Sequence, residues 1–127
     1  MRYQMPNFPC EFEIPDVWLT EAGMQGFTPS GPAFRSSANA LLVPLAQIDP
    51  PIRFAAYPKD WRGFSRERMV RILKWFIIGV EIEAVLLLRV SSVDEITPPQ
   101  FQYRVRDGYH RFYASVAAGF ESLPGAF

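Results

Sequence analysis

The sequence predicts a single α+β domain with a small mixed sheet and flanking helices. From residue 40 onward, short apolar runs that suit strands alternate with two runs of helical spacing, in the order β-α-β-β-α-β. Hydrophobic residues make up 49% of the 127 residues and charged residues 20%. That composition supplies one core and excludes a wholly disordered chain.

Residues 1–35 differ from the rest and form a segment that we call the strap. Five of the chain's 12 prolines lie in it, so a long helix is excluded and an extended course is expected. One short helix is predicted near 16–22, with Asp16 as its N-cap and Gly23 as its stop. Because the strap is rich in phenylalanine and also holds Trp18, it is too apolar for a free tail. We expect it to pack on the domain formed by residues 36–127. The alternative is that its apolar side chains pack on a partner protein.

The first half of the domain is predicted as a strand over 40–45, a turn over 46–51, a loop over 52–64 and a helix over 66–78. Ser65 is a favourable N-cap for that helix, and Gly79 is placed to end it. Apolar residues at helical spacing predict its buried face: Met69, Ile72, Leu73 and Phe76. Charged residues predict its solvated face: Glu67, Arg71 and Lys74.

The second half begins with an apolar run over 84–90, which is typical of a strand covered on both faces. A loop follows over 91–100, and its Asp94 and Glu95 fit either a solvated loop or a lid. Residues 101–106 alternate as a strand should, Asp107 and Gly108 form a turn, and 109–120 is a second helix. That helix is expected to bury Phe112, Val116 and Phe120. A last strand is predicted over 122–127.

The corner between strand 101–106 and helix 109–120 is the most informative part of the sequence. The first amides of a helix have no intrahelical acceptors and the helix dipole is positive there, so such a corner attracts anions. Gly108 lacks the Cβ that would hold a phosphate away from the backbone. A cation at this end, such as Arg111, requires an answering anion. The alternative is an internal ion pair between Arg111 and Asp107.

The stretch DGYHRFYASVAAGF (107–120) resembles the DG-x-HR-x-x-A-x-x-x-x-G signature of the ParB/sulfiredoxin superfamily. Upstream, LLVPLAQIDPPIRF is similar to the family's opening strand and its arginine-ended turn. SRERMVRILKWFIIG is similar to the helix that precedes the family's second strand. The resemblance covers residues 40–127 and has no counterpart for the strap.

The resemblance implies a compact ParB/sulfiredoxin-like fold that binds a nucleoside triphosphate (NTP) with Mg²⁺ at the loop-to-helix turn. It places the phosphates against Gly108, Tyr109, His110 and Arg111, with Arg53 contributed by the first turn. Asp107 and His110 would be the catalytic residues, and Asp107 would serve as general base or hold Mg²⁺ during hydrolysis or phosphoryl transfer.

Three departures from the family restrict the activities that the resemblance implies. Sulfiredoxins carry a nucleophilic cysteine immediately before the HR pair, where this chain has Tyr109, so sulfinic-acid reduction is not expected. Residues 81–85 (EIEAV) replace the family's usual pair of prolines, which changes the expected shape of that loop. Partition proteins add DNA-binding and dimerisation domains that the 127 residues do not contain.

Composition limits the cofactors and the location. One cysteine (Cys10) and one histidine (His110) exclude a disulfide framework and argue against zinc, and we expect no haem or flavin. The sequence shows neither a signal peptide nor an apolar run long enough to cross a bilayer. We therefore expect a cytoplasmic protein with no membrane partner. The sequence leaves open whether the protein forms a homodimer.

Residues 53–74 hold seven basic residues against two acids, although the whole chain has a net charge of zero. A weak nucleic-acid patch would use five of them: Arg62, Arg66, Arg68, Arg71 and Lys74. A solvated helix face is the simpler interpretation. Two functions therefore remain open, a nucleotide-binding protein and a non-enzymatic module that binds a protein or nucleic acid and has a degenerate phosphate pocket.

Overall fold

The strap contains a small hairpin and a short helix. β1 (Arg2–Gln4) pairs antiparallel with β2 (Glu11–Glu13), and α1 (Asp16–Ala22) follows. The helix matches the expected segment, but Asp16 is its first residue rather than its N-cap, and the Asp16 carboxylate accepts a 2.8 Å hydrogen bond from the Met1 ammonium. The computed structural model describes residues 1–51, 63–90 and 97–127.

Several strap side chains are buried in the same hydrophobic core as the rest of the chain. Phe12 is fully buried, and its ring lies 5.0 Å from Tyr113, 5.3 Å from Tyr3 and 6.0 Å from Phe64, measured between centroids. The other buried strap residues are Met5, Ile14, Trp18, Ala22 and Phe34. The strap therefore contributes to the core of one compact α+β unit.

The central sheet has five strands: β3 (Leu41–Pro44), β4 (Ile48–Asp49), β5 (Val85–Arg89), β6 (Tyr103–Asp107) and β7 (Ser122–Ala126). Their spatial order is β3-β7-β5-β6-β4. The sheet is mixed, because β3–β7 and β5–β6 are antiparallel whereas β5–β7 and β4–β6 are parallel. This arrangement confirms the predicted fold class.

β7 passes between its neighbours at a glycine. A Cβ on Gly125 would lie 2.8 Å from Leu87 Cδ1 and 3.0 Å from Val43 Cγ2, which is closer than side chains pack. Val85 and Leu87 of β5 are buried, whereas Leu88 is 48% exposed. The expectation that this strand is covered on both faces is therefore wrong at its end, where the consecutive residues Leu88 and Arg89 are both exposed.

α2 (Arg66–Ile78) begins and ends where the sequence predicts. The Ser65 hydroxyl accepts a hydrogen bond from the Arg68 amide, and Gly79 closes the helix in a left-handed conformation. The four predicted core residues of α2 are buried, as is Val70. Local capping signals were sufficient to define this helix.

α3 (Tyr109–Ala118) follows β6 directly and ends at Gly119. Its buried residues are Phe112, Tyr113, Ala114, Ser115 and Ala118. Val116 and Phe120 are only half-buried, so the expected stripe was correct at Phe112 alone. Residues 52–62 of the loop expected over 52–64 lie outside the described residues, as does the Asp94–Glu95 segment.

Candidate functional site

The N-terminal ends of α2 and α3 are joined by a hydrogen bond. The Ser65 backbone N–H donates to His110 Nε2 at 2.8 Å. Because Nε2 accepts, the imidazole is neutral and carries its proton on Nδ1. Burial, and secondarily the positive charge of Arg68, lower the pKa of His110 below its ordinary value. His110 therefore stays neutral at physiological pH, and its Nε2 lone pair already has a donor.

Gly108 is the residue at which β6 turns into α3. Its φ of +118° favours glycine, and a Cβ there would lie 2.9 Å from Val85 Cγ1 and 3.2 Å from Arg111 Nη2. Packing against β5 is thus sufficient to explain this glycine. A phosphate near the turn would meet the adjoining amides rather than the space that the missing Cβ leaves.

Arg111 has protein partners on the segment that leads into β5. Its Nη1 donates to the carbonyl of Glu83 at 2.6 Å and to that of Ala84 at 2.9 Å. Its Nη2 lies 3.9 Å from Asp107 Oδ2, and its side chain is only 14% exposed. The ion pair between Arg111 and Asp107 is therefore present, but its distance is longer than those of the hydrogen bonds to the two carbonyls.

A cleft of about 570 Å³ lies between α2, the turn at 107–111 and the segment 81–83. Its α2 wall consists of Arg68, Arg71, Ile72 and Trp75. Its remaining walls consist of Glu81, Ile82, Glu83, Asp107, Gly108, Tyr109, His110 and Arg111. The cleft therefore brings together every described residue of the predicted phosphate corner with two arginines of the predicted nucleic-acid patch.

The basic residues of α2 divide between two surfaces. Arg66 forms an ion pair with Glu21 of α1, on the side of α2 away from the cleft. Lys74 lies on that same side, whereas Arg68 lines the cleft and Arg71 lines both surfaces. Of the other predicted site residues, Arg53 and Arg62 lie outside the described residues.

Sequence reasoning missed Trp75, Glu81 and Glu83 as cleft residues. Trp75 could have been found, because it follows Arg68 by seven residues and Arg71 by four, which puts all three on one helix face. The two glutamates carried no such signal, since they lie in the irregular segment between α2 and β5. The cleft thus contains three arginines, three carboxylates and an apolar strip made by Ile72, Trp75 and Ile82.

A second cavity, of about 220 Å³, lies on the other side of the same turn. It shares residues 107–109 with the cleft and is otherwise lined by Asp49, Pro51, Arg104, Val105 and Arg106. Asp49 is 2% exposed. The 107–109 turn is therefore flanked by cavities on both sides.

Within residues 1–51, 63–90 and 97–127, no group of three or more His, Cys, Asp or Glu side chains is arranged to hold a metal ion. None of the helices in these ranges is long and apolar enough to cross a membrane. A scan against protein-family models and searches of curated proteins and of solved structures find no match for this chain.

Proposed function

We propose that this chain is a ParB/sulfiredoxin-like domain that binds a nucleoside triphosphate in the cleft between α2 and α3. The observation that carries the proposal is the convergence of Arg68 and Arg71 with the N-terminal end of α3 around one cleft of about 570 Å³. That volume lies within the range of small-molecule sites. The same cleft has an apolar strip, so it offers positive charge to the phosphates of a nucleotide and apolar contacts to the rest of the molecule.

The phosphates would bind between Arg68, Arg71 and the first amides of α3. Arginine presents a planar fork of N–H donors that matches phosphate oxygens, and helix N-terminal amides add unpaired donors. Arg111 would contribute its charge, because its Nη1 already serves two carbonyls. Arg53, which the resemblance assigns to the same phosphates, remains part of the proposal.

Asp107 fits the expected role at Mg²⁺. Mg²⁺ is usually held by one or two carboxylates together with substrate phosphates rather than by a cage of protein ligands. The Asp107 side chain is 72% exposed and lines the cleft, which suits a carboxylate that meets a nucleotide-bound ion. When bound, the ion would neutralise phosphate charge.

The reaction class that this site would support is hydrolysis of the triphosphate or phosphoryl transfer, in which Asp107 would act as the general base if it does not hold Mg²⁺. The bond from Ser65 occupies His110 Nε2, so His110 would act as an Nδ1–H donor that positions the ligand rather than as a base. We expect this chemistry in the cytoplasm.

The experiment is isothermal titration with ATP, GTP, CTP and UTP, each with Mg²⁺, on the wild type and two matched variants. Arg68→Gln removes a cleft charge, and Lys74→Gln removes a charge that is also exposed but lies on the other side of the same helix. We expect at least one nucleotide to bind and its affinity to fall about tenfold in Arg68→Gln only, as for loss of a charged hydrogen bond. Equal losses in both variants, or no binding of any nucleotide at millimolar concentration, would contradict the proposal.

One observation favours the interaction module as a second candidate. The two residues that most suggested a phosphate site, Gly108 and Arg111, also have structural explanations within the fold. In that case α2 would offer Arg68, Arg71 and Lys74 to a nucleic acid. Three phosphate contacts predict weak binding whose log K falls with log salt at a slope of about −3. Salt-insensitive binding to a defined sequence would contradict this candidate.

A further inference from the structure

A separate aromatic cavity lies beside the cleft, where the strap crosses the C-terminal end of α2. It measures about 240 Å³. Its aromatic wall consists of Phe27, Phe34, Trp75, Phe76 and Phe120. Within that wall Phe34 stacks on Phe76 at 5.2 Å and 17°, and Phe120 meets Phe76 edge-on at 5.3 Å. Ser30 and Gly31 are exposed and lie at the mouth of the cavity.

Backbone contacts hold the strap in place around this cavity. The Ile82 amide donates to the Arg35 carbonyl at 2.9 Å, and the Ser122 amide donates to the Pro32 carbonyl at 2.9 Å. The Arg35 side chain donates to the Gly79 carbonyl at 3.4 Å. The cavity is therefore already formed without a ligand, which lowers the entropic cost of binding.

The aromatic cavity and the cleft share a wall made of Trp75 and Ile82. Trp75 lies seven residues after Arg68, about 10 Å farther along the helix axis at 1.5 Å per residue. A ligand whose phosphates bind at Arg68 and the α3 end therefore points its other end toward Trp75. The ribose of a nucleotide would then lie along the helical turn of α2 that contains Arg71 and Ile72, between Arg68 and Trp75.

We propose that the aromatic cavity receives the nucleobase, so that the strap takes part in selecting the nucleotide together with the C-terminal end of α2. This inference rests on the proposed function of the cleft. Bases stack well on aromatic side chains, and purines present the larger surface. A guanidinium has five N–H donors, so Arg35 can serve both the Gly79 carbonyl and an acceptor on the base.

The test compares each NTP with Mg²⁺-tripolyphosphate, which has the phosphates but no base, by isothermal titration. At least one purine NTP should bind about tenfold more tightly than tripolyphosphate, the gain expected from stacking one base. Ser30→Leu and Gly31→Leu add bulk at the mouth of the cavity. Ser30 is exposed and a Cβ on Gly31 meets nothing within 4 Å, so neither substitution should disturb the fold. Thr28→Leu adds similar bulk to an exposed residue of the same loop that does not line the cavity.

The two cavity-filling variants should lose about tenfold in NTP affinity and keep their tripolyphosphate affinity, whereas Thr28→Leu should change neither. If tripolyphosphate binds as tightly as every NTP, or if Ser30→Leu and Gly31→Leu leave NTP affinity unchanged, the aromatic cavity does not bind the base. The proposed phosphate site would be unaffected by that result. If neither kind of ligand binds the wild type, the proposed function fails and this inference fails with it.

Discussion

The backbone N–H of Ser65 donates to Nε2 of His110 across 45 residues of sequence, at 2.8 Å. Ser65 is also the N-cap of α2, and its hydroxyl accepts from the Arg68 amide. A single pair of residues therefore fixes the N-terminal ends of both helices that line the cleft. This bond therefore links the two walls of the proposed phosphate site.

Acid should weaken this connection through His110. The folded-state pKa of His110 lies below its unfolded value, because burial and then Arg68 disfavour the charged imidazole. Its contribution to stability is therefore complete above the unfolded pKa of about 6.5 and is lost as pH falls through the folded-state pKa. We expect the free energy of unfolding in urea to fall more steeply below pH 6.5 in the wild type than in His110→Gln. Parallel pH profiles for the two proteins would contradict this.

Gly108→Ala should destabilise the fold. The backbone at φ +118° is strained for any residue with a Cβ, at a cost of about 1–3 kcal/mol, and the new atom would clash with Val85. Gly31→Ala is the matched control, since its φ is not positive and its Cβ meets nothing. It should leave stability unchanged or raise it by up to about 1 kcal/mol. Urea unfolding of both variants decides the matter, and equal effects would refute the packing explanation.

Arg111→Ala should lower the free energy of unfolding by about 1.5–3 kcal/mol, because it removes a charged donor from the carbonyls of Glu83 and Ala84. Lys74→Ala, an exposed cation on α2, should change it by less than about 0.5 kcal/mol. Urea titrations at pH 7 give both values. If Arg111→Ala is instead as stable as the wild type and has lost nucleotide binding, the principal role of Arg111 is to meet phosphate.

The strap should be required for stability. Phe12→Ala removes a fully buried ring and should cost about 3–5 kcal/mol. Val17→Ala, at a side chain that is 71% exposed, should cost less than about 0.5 kcal/mol. Limited proteolysis of the wild type should leave residues 1–35 attached. Rapid loss of the strap from a remainder that keeps its circular dichroism spectrum would show that it is not part of the core.

Helix positions were readable from local signals, whereas several strands were not. The bounds of α2 follow from Ser65, Gly79 and the spacing of the apolar residues between them, and all of these lie in one continuous stretch of sequence. β4 has only two residues and exists because Ile48 and Asp49 pair with β6, more than 50 residues away. No local pattern predicts such a strand, and the same is true of the strap's three-residue hairpin.

The candidate site was predictable as a corner of the fold but not as a cleft. The sequence placed Asp107, Gly108, His110 and Arg111 together because they are consecutive or nearly so. It did not show that Arg111 reaches carbonyls 27 and 28 residues away. Nor did it show that α2 places Arg68 and Arg71 beside that corner. A charge pattern identifies one face of a helix but does not say which part of the fold lies opposite that face.

The central position of β7 has a consequence for synthesis of the protein. β3 and β5 each pair with β7 and not with each other, so the sheet is divided until residues 122–126 have left the ribosome. The growing chain therefore exposes two unsatisfied strand edges that neighbouring chains could pair with. Once β7 arrives, Leu87 and Val43 close over Gly125 from both sides, so a side chain at that one position would obstruct the last assembly step. The sheet is therefore completed only by β7, the last of its five described strands in chain order.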